Sequence, residues 1–252
     1  MPRSNLEAEF ESELAAYREA GLSIEVLGEL KSGKEASVYL IRADERLRAL
    51  KFYRPVHGKS FVTDPTYREG RRLKPREARA FARKTRFGRE LAQRTWIAHE
   101  FVMLRRTFAR GVPVPEPISR QQVSILLDFV ADTQGSERPA PRLIDVELSP
   151  EDARQTHATL MRAIIDMLSV NVVHADLSPF NILMPADGTG RRRPVIIDFP
   201  QAVDPRRNRS AFSLLQHDIE EVTRHLARVD PAISDRDLAP RLWARFLEGA
   251  LP

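Results

Sequence analysis

Three side chains that can bind a metal ion or accept a proton lie close together in the second half of the chain. Asp176 and Asn181 belong to the segment V-H-A-D-L-S-P-F-N-I-L, and Asp198 ends the apolar run V-I-I-D. Phosphoryl transfer needs one carboxylate beside the attacking hydroxyl, and an amide oxygen with a second carboxylate as ligands of Mg²⁺. These residues supply all three groups, so the pattern indicates phosphoryl-transfer chemistry.

The spacing between Asp176 and Asn181 indicates a class of protein more specifically than the residue types alone. The pattern H-x-D-x-x-x-x-N, set between two short apolar runs that we predict to be strands, is typical of the catalytic loop of protein kinases. Asp176 is the predicted base, and His174 is predicted to be a structural hydrogen-bonding residue. Asp218, early in a later helix, has two interpretations: it bonds the backbone of the catalytic loop, or it is a surface acid near a helix N-terminus.

A second group of residues, in the first half of the chain, could bind phosphates. The segment L-K-S-G-K-E-A-S-V-Y joins two predicted strands, and its backbone N–H groups could hold a phosphate group. Lys51 lies within the apolar run A-L-K-F-Y, as the phosphate-binding lysine of kinases does. A half-buried lysine needs a carboxylate, and Glu100 on a predicted helix is the best candidate.

A competing interpretation takes Gly28–Lys34 as the phosphate loop G-x-x-x-x-G-K of a different class of nucleotide-binding proteins. That loop needs Ser or Thr at the next position, where this chain has Glu35. It must also open a helix, whereas the residues after Glu35 alternate as a strand does.

The spacing of apolar residues predicts the elements that position these groups. In the first half we expect a helix over 5–20, an antiparallel meander of strands over 24–29, 37–42 and 47–53, a helix over 92–109 and a buried strand over 123–130. In the second half, a Ser-Pro cap at Ser149 begins a helix that runs to about Val170, and further helices follow near 210–228 and at the end.

The predicted fold is α+β, a two-lobed protein-kinase-like fold with an antiparallel-sheet N-lobe and a truncated, mainly helical C-lobe without an activation segment. We place the N-terminal helix and N-lobe in residues 1–130, with a basic insertion at about 55–90, and the hinge and reduced C-lobe in 131–252.

Composition limits the class of protein. With 252 residues and 42% apolar content the chain can bury a substantial core. It has no cysteine, which excludes disulfides and thiolate metal sites and favours a reducing compartment. No apolar run approaches the roughly 18 residues of a membrane span, and the N-terminus lacks the apolar region of a signal peptide. We therefore predict a cytoplasmic protein with no membrane partner.

Positive charge is concentrated in one segment. Arg68–Arg94 contains eleven basic and three acidic residues, a net charge of +8, whereas the whole chain carries +5. Such a segment could contact the phosphates of RNA, although a solvated basic loop explains the same composition.

Three segments of this sequence resemble the RIO family of atypical serine/threonine kinases, and the resemblance extends from about Ile24 to Arg228. The segment S-G-K-E-A-S-V-Y resembles the family's S-T-G-K-E-A-N-V-Y, and the catalytic loop resembles V-H-A-D-L-S-E-Y-N-I-L. The run I-I-D-F-P-Q-A-V resembles I-D-x-x-Q-x-V.

The resemblance implies an ATP- and Mg²⁺-dependent kinase that phosphorylates itself on serine, or an ATPase in small ribosomal subunit maturation, with Mn²⁺ as the alternative metal. It implies catalytic roles for Asp176, Lys51 and Asp198, and metal ligation by Asn181 and Asp198. The partners implied are ATP, a protein substrate or the chain itself, and the small ribosomal subunit or its RNA through Arg68–Arg94. The resemblance assigns nucleotide contacts to Ser32, Gly33, Lys34, Ser37, Val38, Lys51, Glu100, Asp128 and Val130.

Two other functions remain open at this point. One is a small-molecule phosphotransferase of the aminoglycoside type, whose loop H-G-D-x-x-x-x-N is similar; the S-G-K-E-A segment argues against it. The other is a nucleotide-gated module that binds RNA or the ribosome through the basic segment.

Overall fold

The computed structural model describes residues 3–55 and 86–251 of the chain. Most of the predicted insertion at 55–90, and most of Arg68–Arg94, lies outside the described residues. The described residues fall into two compact units, one made of 3–55, 86–101 and 116–130, the other of 102–115 and 131–251.

The first unit is built on a five-stranded antiparallel sheet. The first three strands in sequence are neighbours in the sheet and form the predicted meander, and the fifth strand lies between the third and the fourth. Two helices complete the unit, one before the first strand and one between the third and fourth strands in the sequence. Residues 102–109 of the second helix belong to the other unit. The elements are α1 (Arg3–Glu19), β1 (Ile24–Ser32), β2 (Ala36–Ala43), β3 (Arg46–Tyr53), α2 (Arg86–Ala109), β4 (Pro117–Arg120) and β5 (Ser124–Asp128).

The core of the first unit forms where α1 packs on this sheet. Leu14 and Tyr17 of the helix are fully buried and lie in one cluster with Leu50 of β3. Leu50 and Phe52 are both buried. Because side chains alternate between the two faces of a strand, this burial directs the intervening Lys51 to the opposite face of β3.

The second unit is mainly helical. The predicted cap at Ser149 is present, since its Oγ accepts a hydrogen bond from the N–H of Asp152 at 3.1 Å, and Pro150 is the first residue of the helix. α3 and α4 contact each other, and Leu160 and Ile164 of α3 and Ile219 of α4 are buried. The elements are α3 (Pro150–Ser169), a 3₁₀ turn (Pro179–Asn181), β6 (Ile182–Leu183), β7 (Val195–Ile196), α4 (Ala211–Leu226) and α5 (Leu238–Leu247).

The segment between Asp198 and α4 is short. Residues 199–210 contain only turns and one isolated bridge, which agrees with the expectation of a C-lobe without an activation segment. None of the described helices has the length and apolar character needed to cross a membrane.

Candidate active site

The predicted catalytic loop is fixed at both ends by backbone pairing. After the loop, β6 pairs with β7 as an antiparallel hairpin. Before it, Val173 and Val203 exchange two backbone hydrogen bonds at 3.0 and 2.9 Å. This contact is an isolated bridge, so the strand predicted before the loop is wrong in extent. Two apolar residues satisfy the strand pattern, but only one of them has a partner to pair with.

Asp176 and Asn181 contact each other within the loop. The Asn181 side-chain nitrogen donates to the backbone oxygen of Asp176 at 2.9 Å and to its carboxylate at 3.1 Å. Since the amide nitrogen is used in this way, the amide oxygen of Asn181 is directed to the other side as an acceptor. The N–H of Ile197 donates to the carbonyl of Asn181 at 3.0 Å, which brings the neighbouring Asp198 to the same place.

The electrostatics of this group suit a divalent cation. Burial and, second to it, the negative charge of Asp198 together raise the pKa of Asp176 to about 6, against the lowering effect of the hydrogen bond from Asn181. Two carboxylates and an amide oxygen in one place fit Mg²⁺, which typically takes one or two protein carboxylates and completes its shell with phosphates and water. Among the described residues no group of three or more His, Cys, Asp or Glu could hold a metal by itself.

The backbone is in a left-handed conformation at two positions of the site. Ala175 has φ +67° and Asp198 has φ +73°. Non-glycine residues adopt this conformation at a cost and keep it where surrounding contacts enforce it, often at functional sites.

Asp218 supplies that enforcement at Ala175. Its side chain is 2% exposed, and its carboxylate accepts hydrogen bonds at 2.8 Å from the N–H groups of Ala175 and Leu177. Of its two interpretations, the bond to the catalytic loop is therefore the right one. Burial raises the pKa of Asp218 to about 7, against the lowering effect of the two N–H donors.

His174 has the structural role that was predicted. Its ring is buried, its Nε2 lies 3.1 Å from the carbonyl oxygen of Ile197, and the ring meets Phe199 edge-on at 4.6 Å. It thus ties the catalytic loop to the segment that carries Asp198.

In the first unit, the predicted pair of Lys51 and Glu100 is present. The Lys51 ammonium donates to Glu100 Oε1 at 2.7 Å, and the Tyr53 hydroxyl donates to Oε2. Glu100 is buried, so both carboxylate oxygens have partners in a place where an unpaired charge would be costly. The pair holds the Lys51 ammonium in one position.

The predicted phosphate loop is the tight turn between β1 and β2. The N–H of Gly33 donates to the carbonyl of Ala36 at 2.9 Å, and a Cβ on Gly33 would lie only 2.9 Å from that oxygen, so a glycine is needed here. Lys34 is exposed, and Val38 pairs opposite Lys51. The competing interpretation as G-x-x-x-x-G-K is wrong, because Ala36–Ala43 forms a strand and no helix follows the turn.

Asp128 and Val130, two of the predicted nucleotide contacts, lie at and just after the end of β5. The N–H of Asp128 donates to the carbonyl of Glu116 at 2.8 Å, and the Asp128 carboxylate pairs with Arg48. A contact between Asp128 and a base must therefore use its carbonyl oxygen. Val130 lies just beyond the strand and is half-buried.

Arg54 was not among the predicted site residues. Its guanidinium donates to Ser37 Oγ at 2.8 Å and also to Ser32 Oγ, two residues that were predicted to contact phosphates. Ser37 is buried and Ser32 is exposed. The available signal was position, since Arg54 comes three residues after Lys51 where β3 ends beside the loop.

The predicted site residues thus form two groups. The first unit holds Ser32, Gly33, Lys34, Ser37, Val38, Lys51, Glu100, Asp128 and Val130; the second holds Asp176, Asn181 and Asp198. Their functional roles stay predictions.

Comparison with known proteins finds similarity to the RIO family. A model of the RIO domain family matches residues 37–238. The serine/threonine-protein kinase RIO1 of Chaetomium thermophilum is 31% identical over 228 residues, which cover 84% of this chain and 41% of that protein. This chain therefore spans less than half the length of that relative.

Solved structures show the fold. The crystal structure of the Rio2 kinase from Chaetomium thermophilum matches with a TM-score of 0.67 at 20% identity, over 96% of this chain and 69% of that one. A Rio2 kinase–ADP/Mg²⁺–phosphoaspartate complex from the same organism matches with a TM-score of 0.57 at 18% identity, over 94% and 73% of the two chains. The predicted two-lobed, kinase-like α+β fold is confirmed.

Proposed function

Because this chain belongs to the RIO family of atypical serine/threonine kinases, we propose that it transfers the γ-phosphoryl group of ATP to a serine hydroxyl of protein, its own chain included. The observation that carries the proposal is the catalytic loop, in which Asp176 and Asn181 contact each other and Asp218 holds the backbone in place. An ordinary surface loop has no need of a buried carboxylate beneath it.

Each residue has a chemical task in this mechanism. The Lys51 ammonium, held by Glu100, donates to the α- and β-phosphates, and the turn at Gly33 offers backbone N–H groups to the phosphates. Asn181 and Asp198 would hold Mg²⁺, which neutralises charge that develops on the phosphates.

Asp176 is the base. With a pKa of about 6 it is mostly ionised at neutral pH, so it can orient a serine hydroxyl for in-line attack and accept its proton. The proton-accepting oxygen keeps its place because Asn181 binds the same carboxylate.

The same groups would also serve hydrolysis. A related kinase has been crystallised as an ADP/Mg²⁺–phosphoaspartate complex. In the corresponding reaction here, an Asp198 oxygen attacks the γ-phosphorus, ADP leaves, and water then cleaves the acyl phosphate. This ATPase is our second candidate, and a role in small-subunit maturation with RNA bound by Arg68–Arg94 belongs to it.

One experiment separates these candidates. The purified chain is incubated with γ-labelled ATP and Mg²⁺ or Mn²⁺, with and without small ribosomal subunits, and both free phosphate and labelled protein are measured. Acid-stable label on serine supports the kinase. Hydroxylamine-labile label, with phosphate release stimulated by the subunits, supports the ATPase. Transfer only to an aminoglycoside alcohol would overturn both.

The Asp176→Asn variant tests the assigned base. We expect turnover to fall by about 10²–10⁴-fold, because general-base catalysis is lost, while the Kd for Mg·ATP stays within about threefold of the wild type. The matched control is Asp145→Asn, an exposed aspartate of the same unit, which should leave turnover unchanged. Wild-type turnover in Asp176→Asn would contradict the mechanism.

A further inference from the structure

Arg54 joins the end of β3 to the turn between β1 and β2. Its guanidinium donates to Ser37 Oγ at 2.8 Å and to Ser32 Oγ. The two serines face each other across the turn, at paired positions of β1 and β2. One cation therefore fixes the side chains on both sides of the predicted phosphate loop.

The backbone of Arg54 is held as firmly as its side chain. Its N–H donates to the carbonyl of Glu35, within the turn, at 2.8 Å. Its own carbonyl accepts a hydrogen bond at 2.7 Å from the side chain of Gln93, a buried residue of α2. With contacts to the turn, to two serines and to a helix, Arg54 has far less freedom than a residue at a frayed strand end.

The guanidinium of Arg54 determines which way the serine O–H groups can point. Each serine oxygen has two lone pairs and one O–H. When a guanidinium donates to a lone pair, the O–H is left to point elsewhere, and the nearby positive charge makes it a better donor to an anion. Ser37 is buried and so serves to anchor Arg54, whereas Ser32 is exposed and can donate outward.

A further observation points to an anion at this place. The Nε atom of Arg54 is buried and has no hydrogen-bond partner among the described residues. The carboxylate nearest to the guanidinium is that of Glu29, at the outer limit of an ion pair at 4.0 Å. The positive charge of Arg54 is therefore only weakly neutralised by protein carboxylates that the structure describes.

We propose that Arg54 is a positioning residue for the phosphates of ATP: it orients the Ser32 hydroxyl as a phosphate donor and adds positive charge to the loop. The inference rests on the proposed function, since ATP is the ligand. Arg54 should therefore strengthen the binding of ATP, which carries phosphates, and have little effect on the binding of adenosine, which carries none.

The first test compares two ligands on one variant. In Arg54→Met, the Kd for Mg·ATP should rise about tenfold, the usual effect of losing a charge-assisted hydrogen bond, while the Kd for adenosine changes less than about twofold. Titration calorimetry on the full chain measures both constants. Arg42→Met is the matched control, because Arg42 lies in the same unit and pairs with Glu25 at 3.5 Å away from the loop. An equal loss for ATP and adenosine would show a merely structural role and overturn the proposal.

The second test asks whether Arg54 acts through Ser32. In the wild-type background, Ser32→Ala should weaken ATP binding several-fold, because a phosphate donor is lost. In the Arg54→Met background the same change should have little effect, since the hydroxyl is no longer oriented. Additive effects would overturn the proposed coupling. If the wild type itself binds no ATP, the proposed function fails; if it binds ATP and Arg54→Met binds it equally well, only this inference fails.

Discussion

The residues beneath the catalytic loop show how a buried acid can organise a site without touching a substrate. Asp218 accepts from two N–H groups, on either side of Asp176, and thus fixes the backbone that carries the base. Asp218 is only 2% exposed, and burial disfavours the ionised form of its carboxylate. The free energy of unfolding must therefore depend on the protonation of Asp218.

The pH dependence follows from the direction of this shift. The pKa of Asp218 is raised from 3.8 to about 7 in the folded chain, so its contribution to stability is fully present below pH 3.8 and is lost as the pH rises through 7. In Asp218→Asn this titration is absent. The difference in unfolding free energy, wild type minus variant, should therefore be largest at about pH 4 and below, shrink between about pH 4 and 7 by at most about 1.4 kcal/mol per pH unit, and change little above that range. Urea unfolding of both proteins at several pH values measures it.

The opposite pH dependence would contradict this prediction. If the difference in unfolding free energy between wild type and variant grows with pH, the two N–H donors outweigh burial and the ionised carboxylate is the preferred form in the folded chain. The Asp218→Asn comparison cancels the titration of His157 and His225, whose pKa values are lowered by burial, because both residues are present in both proteins.

At the scale of elements, α1 is attached to the sheet by more than apolar packing. The carboxylate of Glu13 is buried, accepts from the N–H of Val123 at 3.1 Å and from the hydroxyl of Ser124, and Tyr17 bonds the same hydroxyl at 3.1 Å. Ser124 begins β5, the strand that ends at Asp128. The helix thereby holds one end of the strand whose other end, Asp128, is predicted to contact the nucleotide.

Removing this carboxylate should destabilise the chain. Glu13→Ala leaves the buried N–H of Val123 without its acceptor, and we expect a loss of about 2–3 kcal/mol in the free energy of unfolding. Glu11→Ala is the control: Glu11 is 67% exposed and lies 3.9 Å from Arg18, so its removal should cost no more than about 0.5 kcal/mol. Urea unfolding compares the two variants, and equal losses would show that Glu13 does not anchor the helix.

The helices and the longer strands could be predicted because their apolar spacing continues over several turns or residues. The helix that begins at Pro150 also has a capping residue that is legible in the sequence. The sequence did not indicate that Val173 pairs and Val172 does not, because a bridge depends on a distant partner, here Val203. Arg54 was missed for a similar reason: its role comes from hydrogen bonds to three separate elements.

At the scale of the whole molecule, residues far apart in the sequence contact each other in the folded chain. Lys51 and Glu100 are 49 positions apart, and their pairing was predicted because a half-buried lysine needs a carboxylate partner. Between the two interpretations of Asp218 the sequence could not decide, since burial is a property of the folded chain. The sequence analysis likewise assigned phosphate contacts to both Ser32 and Ser37 without indicating that one is exposed and the other buried.

The charge of the whole molecule suggests a partner. Arg68–Arg94 carries +8, more than the whole chain, so the rest of the protein is slightly acidic. An RNA bound through this segment should be released by salt, since every phosphate contact displaces counterions. A variant with four arginines of this segment changed to glutamine tests the idea: Arg71, Arg72, Arg76 and Arg79. A control variant changes four exposed arginines elsewhere: Arg162, Arg224, Arg236 and Arg241.

Filter binding to a small-subunit RNA fragment is measured across salt concentrations. It distinguishes RNA contacts made by Arg68–Arg94 from long-range attraction by the overall positive charge. Each lost contact with a single-stranded phosphate lowers the slope of log K against log salt by about 0.7, so the segment variant should lose up to about 3 in slope. The control variant has the same net charge, and long-range attraction alone would affect both proteins equally. Equal slopes in the two variants would therefore show that the segment is only a solvated basic loop, whereas a loss confined to the segment variant would locate the RNA contact there.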